Sequence, residues 1–202
     1  MDQNLVVLAE DYCRHFHEQQ RRRGGNQEPY ASHPFAVRDI LVKHGYDDPE
    51  TQVIALLHDV IEDTELGQRK DEIEKLFGTI VYEGVYILSN NTVGKHAIAF
   101  VPLFQQLGIQ FVGPGWNLTP EAYKLRILFA RDTVKRVKIA DVTHNTRSFP
   151  DLGKAGIERK LHDAETFYMP LGRCVAPIMV KELETNVANY KASDHYRRTF
   201  GS

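Results

Sequence analysis

The sequence predicts an all-α fold, and three observations carry that expectation. Apolar residues recur at spacings of three and four through most of the chain, as one face of an amphipathic helix requires. Helix starts and stops are marked by capping residues, prolines and glycines. No alternating apolar and polar run is long enough to trust as a strand. At 202 residues, with 42% apolar and 26% charged side chains, the chain can bury one sizeable core. No internal repeat or low-complexity run divides it, so residues 1–190 read as a single domain and 191–202 as a C-terminal tail.

The elements follow in order. Leu5, Leu8, Ala9, Tyr12, Cys13 and Phe16 share one face of a first helix, which runs into Arg21-Arg22-Arg23 and stops at Gly24-Gly25-Asn26. A second helix begins near Ser32, read as its N-cap, carries His33 and Pro34 in its first turn and ends near Gly45. Asp48-Pro49 opens a third, which carries Val53, Ile54, Leu56, Leu57, Val60 and Ile61. Two more, at 69–77 and 79–90, are separated by Gly78. From about 93 to 118, glycines and prolines alternate with Phe100, Phe104, Phe111 and Trp116, which reads as an apolar loop insertion. Thr119-Pro120-Glu121 restarts the helical pattern by N-cap and proline, with helices expected at 120–131, 133–148, 155–169 and 175–190.

Composition excludes several functions. A formal net charge of -2 leaves no global electrostatic footprint for nucleic acid or an anionic membrane surface. The two cysteines, Cys13 and Cys174, lack the spacing of a zinc ribbon and are too few for a disulfide scaffold. No apolar stretch approaches the length needed to cross a bilayer. Asp2, Glu10 and Asp11 stand where a signal peptide would place its basic and apolar regions, so the cytoplasm is the expected compartment.

The strongest chemical signal is His58-Asp59-Val60-Ile61-Glu62-Asp63 in the third helix. With His58 at zero and about 100° per residue, Asp59, Glu62 and Asp63 fall at roughly 100°, 40° and 140°. The apolar residues take the opposite face. An imidazole and three carboxylates so close together are costly to bury, and a divalent cation would offset that cost. Taken alone, such a cluster is better explained by a solvated acidic face with an incidental histidine. Two further candidates weigh against that account. His33 lies at the start of another helix, and Asp141 interrupts the otherwise apolar run around Ile139-Ala140. Lys138, Asp141 and Asn145 share one helical face by their spacing. Two imidazoles and two carboxylates suit a first-row cation with open water positions, manganese more than a closed thiolate-rich zinc site. Such an ion activates water and polarises a phosphate oxygen.

These residues resemble, in order, the HD superfamily of metal-dependent phosphohydrolases. The resemblance narrows in Tyr30-Ala-Ser-His33-Pro34, in Ala55-Leu-Leu-His58-Asp59-Val-Ile-Glu62-Asp63-Thr64, and in Ile73-Glu-Lys-Leu-Phe77-Gly78. Lys138-Ile-Ala-Asp141-Val-Thr-His144-Asn145-Thr-Arg147 and Glu165-Thr-Phe-Tyr168-Met-Pro170-Leu171 continue it. All are similar to the hydrolase domain of the RelA/SpoT family, across about residues 3–175, in its small stand-alone form. The most specific element is the Glu62-Asp63 extension.

The resemblance implies an HD-type helical fold and hydrolysis of the 3′-pyrophosphate of guanosine tetra- or pentaphosphate, a small-molecule nucleotide. One manganese, or another divalent metal, is implied per chain. By position, His33, His58, Asp59 and Asp141 would hold the metal, and Glu62 and Asp63 would handle water activation and proton transfer. Asn145 would help hold the nucleotide and Arg22 would meet its phosphates, with Lys138 adding positive charge. The insertion near 93–118 departs from the family pattern; it is expected either to border the nucleotide site or to mediate self-association as a homo-oligomer. His144, in a stretch that also departs, is either an extra polar group near the site or a surface residue. Two other readings stand beside this one. One is an HD phosphohydrolase for another nucleotide, such as a nicotinamide dinucleotide phosphate or an adenine alarmone. The other is a non-catalytic nucleotide sensor, which the filled metal and proton-transfer positions disfavour.

Overall fold

A computed structural model describes residues 3–22, 27–63, 71–90, 106, 108 and 119–201, with the side chain of Asp63 excepted. Among them no strand forms; the single extended pairing is an isolated antiparallel bridge between Arg21 and Pro29. The all-α expectation holds. The helices are α1 (Gln3–Phe16), α2 (Ser32–Lys43), α3 (Pro49–Leu57), α4 (Val60–Asp63), α5 (Asp71–Phe77) and α6 (Thr79–Leu88). After the segment 91–118 come α7 (Pro120–Leu128), α8 (Asp132–Asn145), α9 (Lys154–Asp163), α10 (Met169–Val175), α11 (Val180–Lys191) and α12 (Asp194–Phe200). None is long and apolar enough to cross a membrane.

Local chemistry explains several boundaries. Asp48 and Thr119 cap α3 and α7, accepting the backbone N–H of Thr51 and Ala122 from their side chains, with Pro49 and Pro120 in the first turn. Gly45, at φ +80°, ends α2 in the left-handed region that a residue with a Cβ rarely enters. Ser32 is not a cap. Ala31 occupies the cap position in helical geometry, and no side chain caps the helix. The first helix also stops at Phe16, well short of the arginines. The stretch read as a C-terminal tail forms α12 instead. Ser193 caps it, and Tyr196 and Phe200 pack against the core.

The third helix departs most from expectation. It ends at Leu57, and His58-Asp59 interrupt it before α4. The carbonyl of Ala55 accepts from Nδ1 of His58 at 2.7 Å. A side chain that bonds back onto its own helix competes with the backbone ladder. The wheel drawn through a continuous helix therefore does not describe how Glu62 relates to His58.

The centre of the fold is a three-helix contact in which α2, α3 and α8 each pack against the other two. On the outside α1 and α6 cover α3, while α10 and α11 cover α8. Leu41, Ile54, Leu56, Leu57 and Ile139 are fully buried between these helices. At about 25 cal/mol per Å² of apolar surface removed from water, such residues supply the main driving force for docking. They bring the ends of α2 and α3 and the middle of α8 to one place.

One close approach limits this packing. A Cβ on Gly172 of α10 would lie 2.6 Å from Cγ2 and 2.9 Å from Cβ of Val180 at the start of α11. A β-branched side chain anchored at its own Cβ cannot swing clear. Gly172→Ala is therefore expected to destabilise the protein by about 1–3 kcal/mol through overpacking. That outweighs the gain in helix propensity, which is at most about 1 kcal/mol. Denaturant unfolding measures the difference, and unchanged stability would show that α10 and α11 can separate at no cost.

Candidate metal centre and adjoining pocket

Four side chains from three elements converge where α2, α3 and α8 meet. His33 comes from the first turn of α2, His58 and Asp59 from the break after α3, and Asp141 from α8. His33, His58 and Asp141 are 2%, 3% and 5% exposed. Each offers a ligand atom within 4.8 Å of the others. Nε2 of His33 lies 3.1 Å from Oδ1 of Asp141 and 3.5 Å from Oδ2 of Asp59. Nε2 of His58 lies 3.2 Å from Oδ2 of Asp59 and 3.9 Å from Oδ1 of Asp141. Asp59 thus stands beside both imidazoles, and its Oδ2 also accepts from the Tyr30 hydroxyl at 2.8 Å.

The His58 tautomer follows from its contacts. A carbonyl only accepts, so the 2.7 Å contact to Ala55 places the proton on Nδ1. Nε2 then carries a lone pair, is buried, and makes no hydrogen bond among the described residues. It faces two carboxylates. A lone pair aimed at anions in a buried site is unfavourable unless a cation lies between them. The donor set of two imidazoles and two carboxylates fits a divalent transition metal.

His33 is oriented by a group that sequence reasoning left undecided. Its Nδ1 lies 2.7 Å from Nδ1 of His144, and the two rings lie 4.9 Å apart, tilted by 39°. Burial, reinforced by the charges of His33, Arg22 and Arg147, pushes the proton affinity of His144 down to about 3. His144 is therefore a neutral imidazole. It can accept from Nδ1–H of His33 and leave Nε2 of His33 free as a ligand, the arrangement that holds most metal-binding histidines. The sequence alone does not place this contact, because His144 sits on another helix, 111 residues from His33.

Asp141 is the most heavily bonded of the four. Oδ2 accepts from Lys138 at 2.8 Å, and Oδ1 accepts from Nδ2 of Asn145 at 2.6 Å. Burial by itself would raise its pKa, but Lys138 and the two histidines hold it well below the usual carboxylate range. Lys138 is correspondingly held well above its ordinary value against burial, by Asp141 first. The shared helical face of Lys138, Asp141 and Asn145 is thus realised as direct contacts. Asn145 passes the network outward, since its Oδ1 accepts from Arg22 at 3.4 Å while Arg22 also donates to Ser148 at 3.2 Å.

A cavity of about 320 Å³ opens beside this cluster. Asp141, Lys138, Asn145 and Glu62 line it, as do Arg159 and Lys160 of α9. Glu62, at the exposed end of α4, accepts the backbone N–H of Asn90 at 2.7 Å. The structure therefore brings together Arg22, His33, His58, Asp59, Glu62, Lys138, Asp141 and Asn145. The side chain of Asp63 lies outside the described residues, as does the insertion expected at 93–118 apart from positions 106 and 108. Tyr30, His144, Arg159 and Lys160 are added by the tertiary structure. Tyr30, three residues before His33, and His144, three before the end of its motif at Arg147 and left open between site and surface, had a sequence signal; Arg159 and Lys160 had none.

Known proteins resemble this chain in sequence and in fold. A family model described as HD domain matches residues 9–89. A GTP pyrophosphokinase from Streptomyces coelicolor is 30% identical over 184 residues, covering 89% of this chain and 19% of its own length. A probable guanosine-3′,5′-bis(diphosphate) 3′-pyrophosphohydrolase from Synechocystis is 30% identical, covering 96% of this chain and 23% of the relative. The GTP pyrophosphokinase rsh of Brucella melitensis is 33% identical, covering 98% and 24%. The chain thus spans about a quarter or less of these relatives. A solved structure of a metazoan ortholog of SpoT, described as hydrolyzing ppGpp, superposes with a TM-score of 0.70. It shares 22% identity over 92% of this chain and 95% of that one, a likeness of fold.

The geometry makes His144 testable through metal affinity. His144→Phe keeps a ring against His33 but removes the acceptor. Manganese affinity measured by calorimetry is expected to fall about 10–100-fold, with helicity unchanged. Wild-type affinity in the variant would show that His144 does not orient His33.

Proposed function

We propose that this chain, whose residues 9–89 match an HD domain, is a metal-dependent phosphohydrolase cleaving the 3′-pyrophosphate from guanosine tetra- or pentaphosphate. The products are pyrophosphate and GDP or GTP. The observation that carries the reading is the convergence of His33, His58, Asp59 and Asp141, with the buried lone pair of His58 Nε2 otherwise unmet. These four residues would hold a divalent cation, which we take to be manganese, and when bound it would polarise a phosphoryl oxygen and lower the pKa of water. The remaining steps belong to the protein.

Glu62 lines the same cavity as Asp141 and is exposed enough to exchange protons with solvent. We assign it, with Asp63 beside it in α4, to taking a proton from the attacking water and returning one to the leaving ribose oxygen. Lys138 and Asn145 grip Asp141 and also line the cavity, so each can turn a second donor toward a phosphate. Arg22 is held by Asn145 and Ser148 with its guanidinium 5.7 Å from the Tyr30 ring, where its fork can bind an oxyanion in a bidentate manner. Support for the guanine base and the 3′ position comes from the name of the Synechocystis relative, which is longer than this chain.

Two measurements test the proposal. Incubation with guanosine tetraphosphate and manganese is expected to release GDP and pyrophosphate; an intact tetraphosphate, with orthophosphate released from a nicotinamide dinucleotide phosphate, would reassign the substrate. Glu62→Gln is expected to retain manganese while turnover falls about 10²–10⁴-fold. Turnover at the wild-type rate would remove Glu62 from proton transfer.

A further inference from the structure

Two side chains of α7 tie down the end of α6. The last carbonyls of a helix have no partner within it and must find one elsewhere. The carbonyl of Leu88, the last residue of α6, accepts from the buried hydroxyl of Tyr123 at 2.8 Å. The carbonyl of Ser89, the next residue, accepts from the guanidinium of Arg126. Ser89 is itself buried, and both its N–H and its hydroxyl donate to the Val85 carbonyl at 3.1 Å. Arg126 is half-buried, with its guanidinium 5.4 Å from the ring of Tyr123 and 6.0 Å from that of Tyr86. Burial lowers its proton affinity, while Tyr123, Tyr86 and Glu62 raise it. Glu62 thus lies within electrostatic reach of Arg126, although it belongs to α4.

The Ser89 carbonyl and the Asn90 N–H are parts of one peptide unit, which is planar and close to rigid. That N–H donates to Oε2 of Glu62 at 2.7 Å. A single peptide is therefore held by a cation at its oxygen end and by a carboxylate at its N–H end. A cation on the oxygen polarises the amide and strengthens its N–H as a donor, so the two bonds reinforce each other. We propose that Arg126 is a positioning residue for Glu62, acting through the peptide between Ser89 and Asn90 to hold the carboxylate in the orientation that proton transfer needs. Glu62 sits at the exposed end of a four-residue helix, where a glutamate has several rotamers open to it and loses entropy when one is selected. Glu62 and Asn90 both line the cavity beside Asp141, so the hold is applied at the reaction site. The inference rests on the assignment of Glu62 to proton transfer in the proposed reaction.

Two readouts test it, and the first needs no activity. The Asn90 amide resonance is followed by NMR on the intact chain, with magnesium supplied because manganese would broaden nearby signals. A charge-assisted bond to a carboxylate is short and strong and shifts the amide proton downfield. That proton is expected downfield in the wild type and moved upfield in both Arg126→Met and Glu62→Gln. Methionine keeps the apolar stem and removes the donors and the charge; circular dichroism checks the fold. The second readout is turnover with manganese, on guanosine tetraphosphate and on a nicotinamide dinucleotide phosphate in parallel. Arg126→Met is expected to lower kcat about 10²-fold, the scale of a small misplacement at the reacting groups, with KM and manganese affinity unchanged. Combined with Glu62→Gln it is expected to add no further loss, because the group it positions is already gone. An Asn90 resonance indifferent to Arg126→Met overturns the proposal, as does wild-type turnover in that variant. An equal further loss in the Glu62→Gln background also overturns it, because Arg126 would then act on the fold and not through Glu62. Hydrolysis of the dinucleotide phosphate alone, with the same pattern among the variants, rejects the guanosine substrate and keeps the role of Arg126. Hydrolysis of neither removes the reaction and the proposal with it. Should Arg126→Met fail to fold, Arg126→Lys carries the same tests with smaller changes expected, since it keeps the charge but not the planar fork.

Discussion

A carboxylate buried in the middle of α8 constrains everything around it. Asp141 is 5% exposed and stays ionised against a desolvation penalty that would otherwise neutralise it. Lys138 and Asn145 meet it from its own helix, while His33 reaches it from α2. Removing one partner of a buried charge costs far more than the pair contributes. The docking of α2 and α3 onto α8 is therefore specified by polar contacts as well as by apolar area. The helices must meet in the register that places His33 and His58 over Asp141.

The same constraint shapes the cluster as a place for a cation. Local and tertiary contacts assign each imidazole its tautomer. The Ala55 carbonyl takes the proton-bearing edge of His58, and neutral His144 can take that of His33. The opposite edges face Asp59 and Asp141. Tyr30 steadies Asp59 from the segment that leads into α2. A site preorganised in this way spends little on rearrangement when a metal enters, because the outer hydrogen bonds are made before it arrives.

Beyond the cluster the cavity carries both signs of charge. Glu62, Asp141 and Asp163 line it together with Lys124, Lys138, Arg159 and Lys160. Lys138 and Lys124 are matched by Asp141 and Asp163. The aromatic side chains of Tyr123, Phe149 and Tyr168 also line it.

Much of this was legible before any coordinates. The periodic apolar spacing of α1 and α3, the Asp48-Pro49 and Thr119-Pro120 starts, and the shared face of Lys138, Asp141 and Asn145 are local properties, determined within one or two turns of chain. The four candidate ligands were recognisable by residue type and order, since few other side chains can justify a carboxylate inside an apolar run. Other features depended on tertiary contacts. The break at His58-Asp59 arises where a side chain competes for the Ala55 carbonyl, which no periodic pattern records. The docking of α12 depends on the core surface it meets. His144 matters because it lies against His33, and Lys160 because it lines the cavity wall. The sequence by itself determined which groups could carry the chemistry, because ligand type and helical spacing are short-range. The tertiary structure alone decided how they are aimed and which charges are left unmatched, because both depend on distant helices meeting in one register.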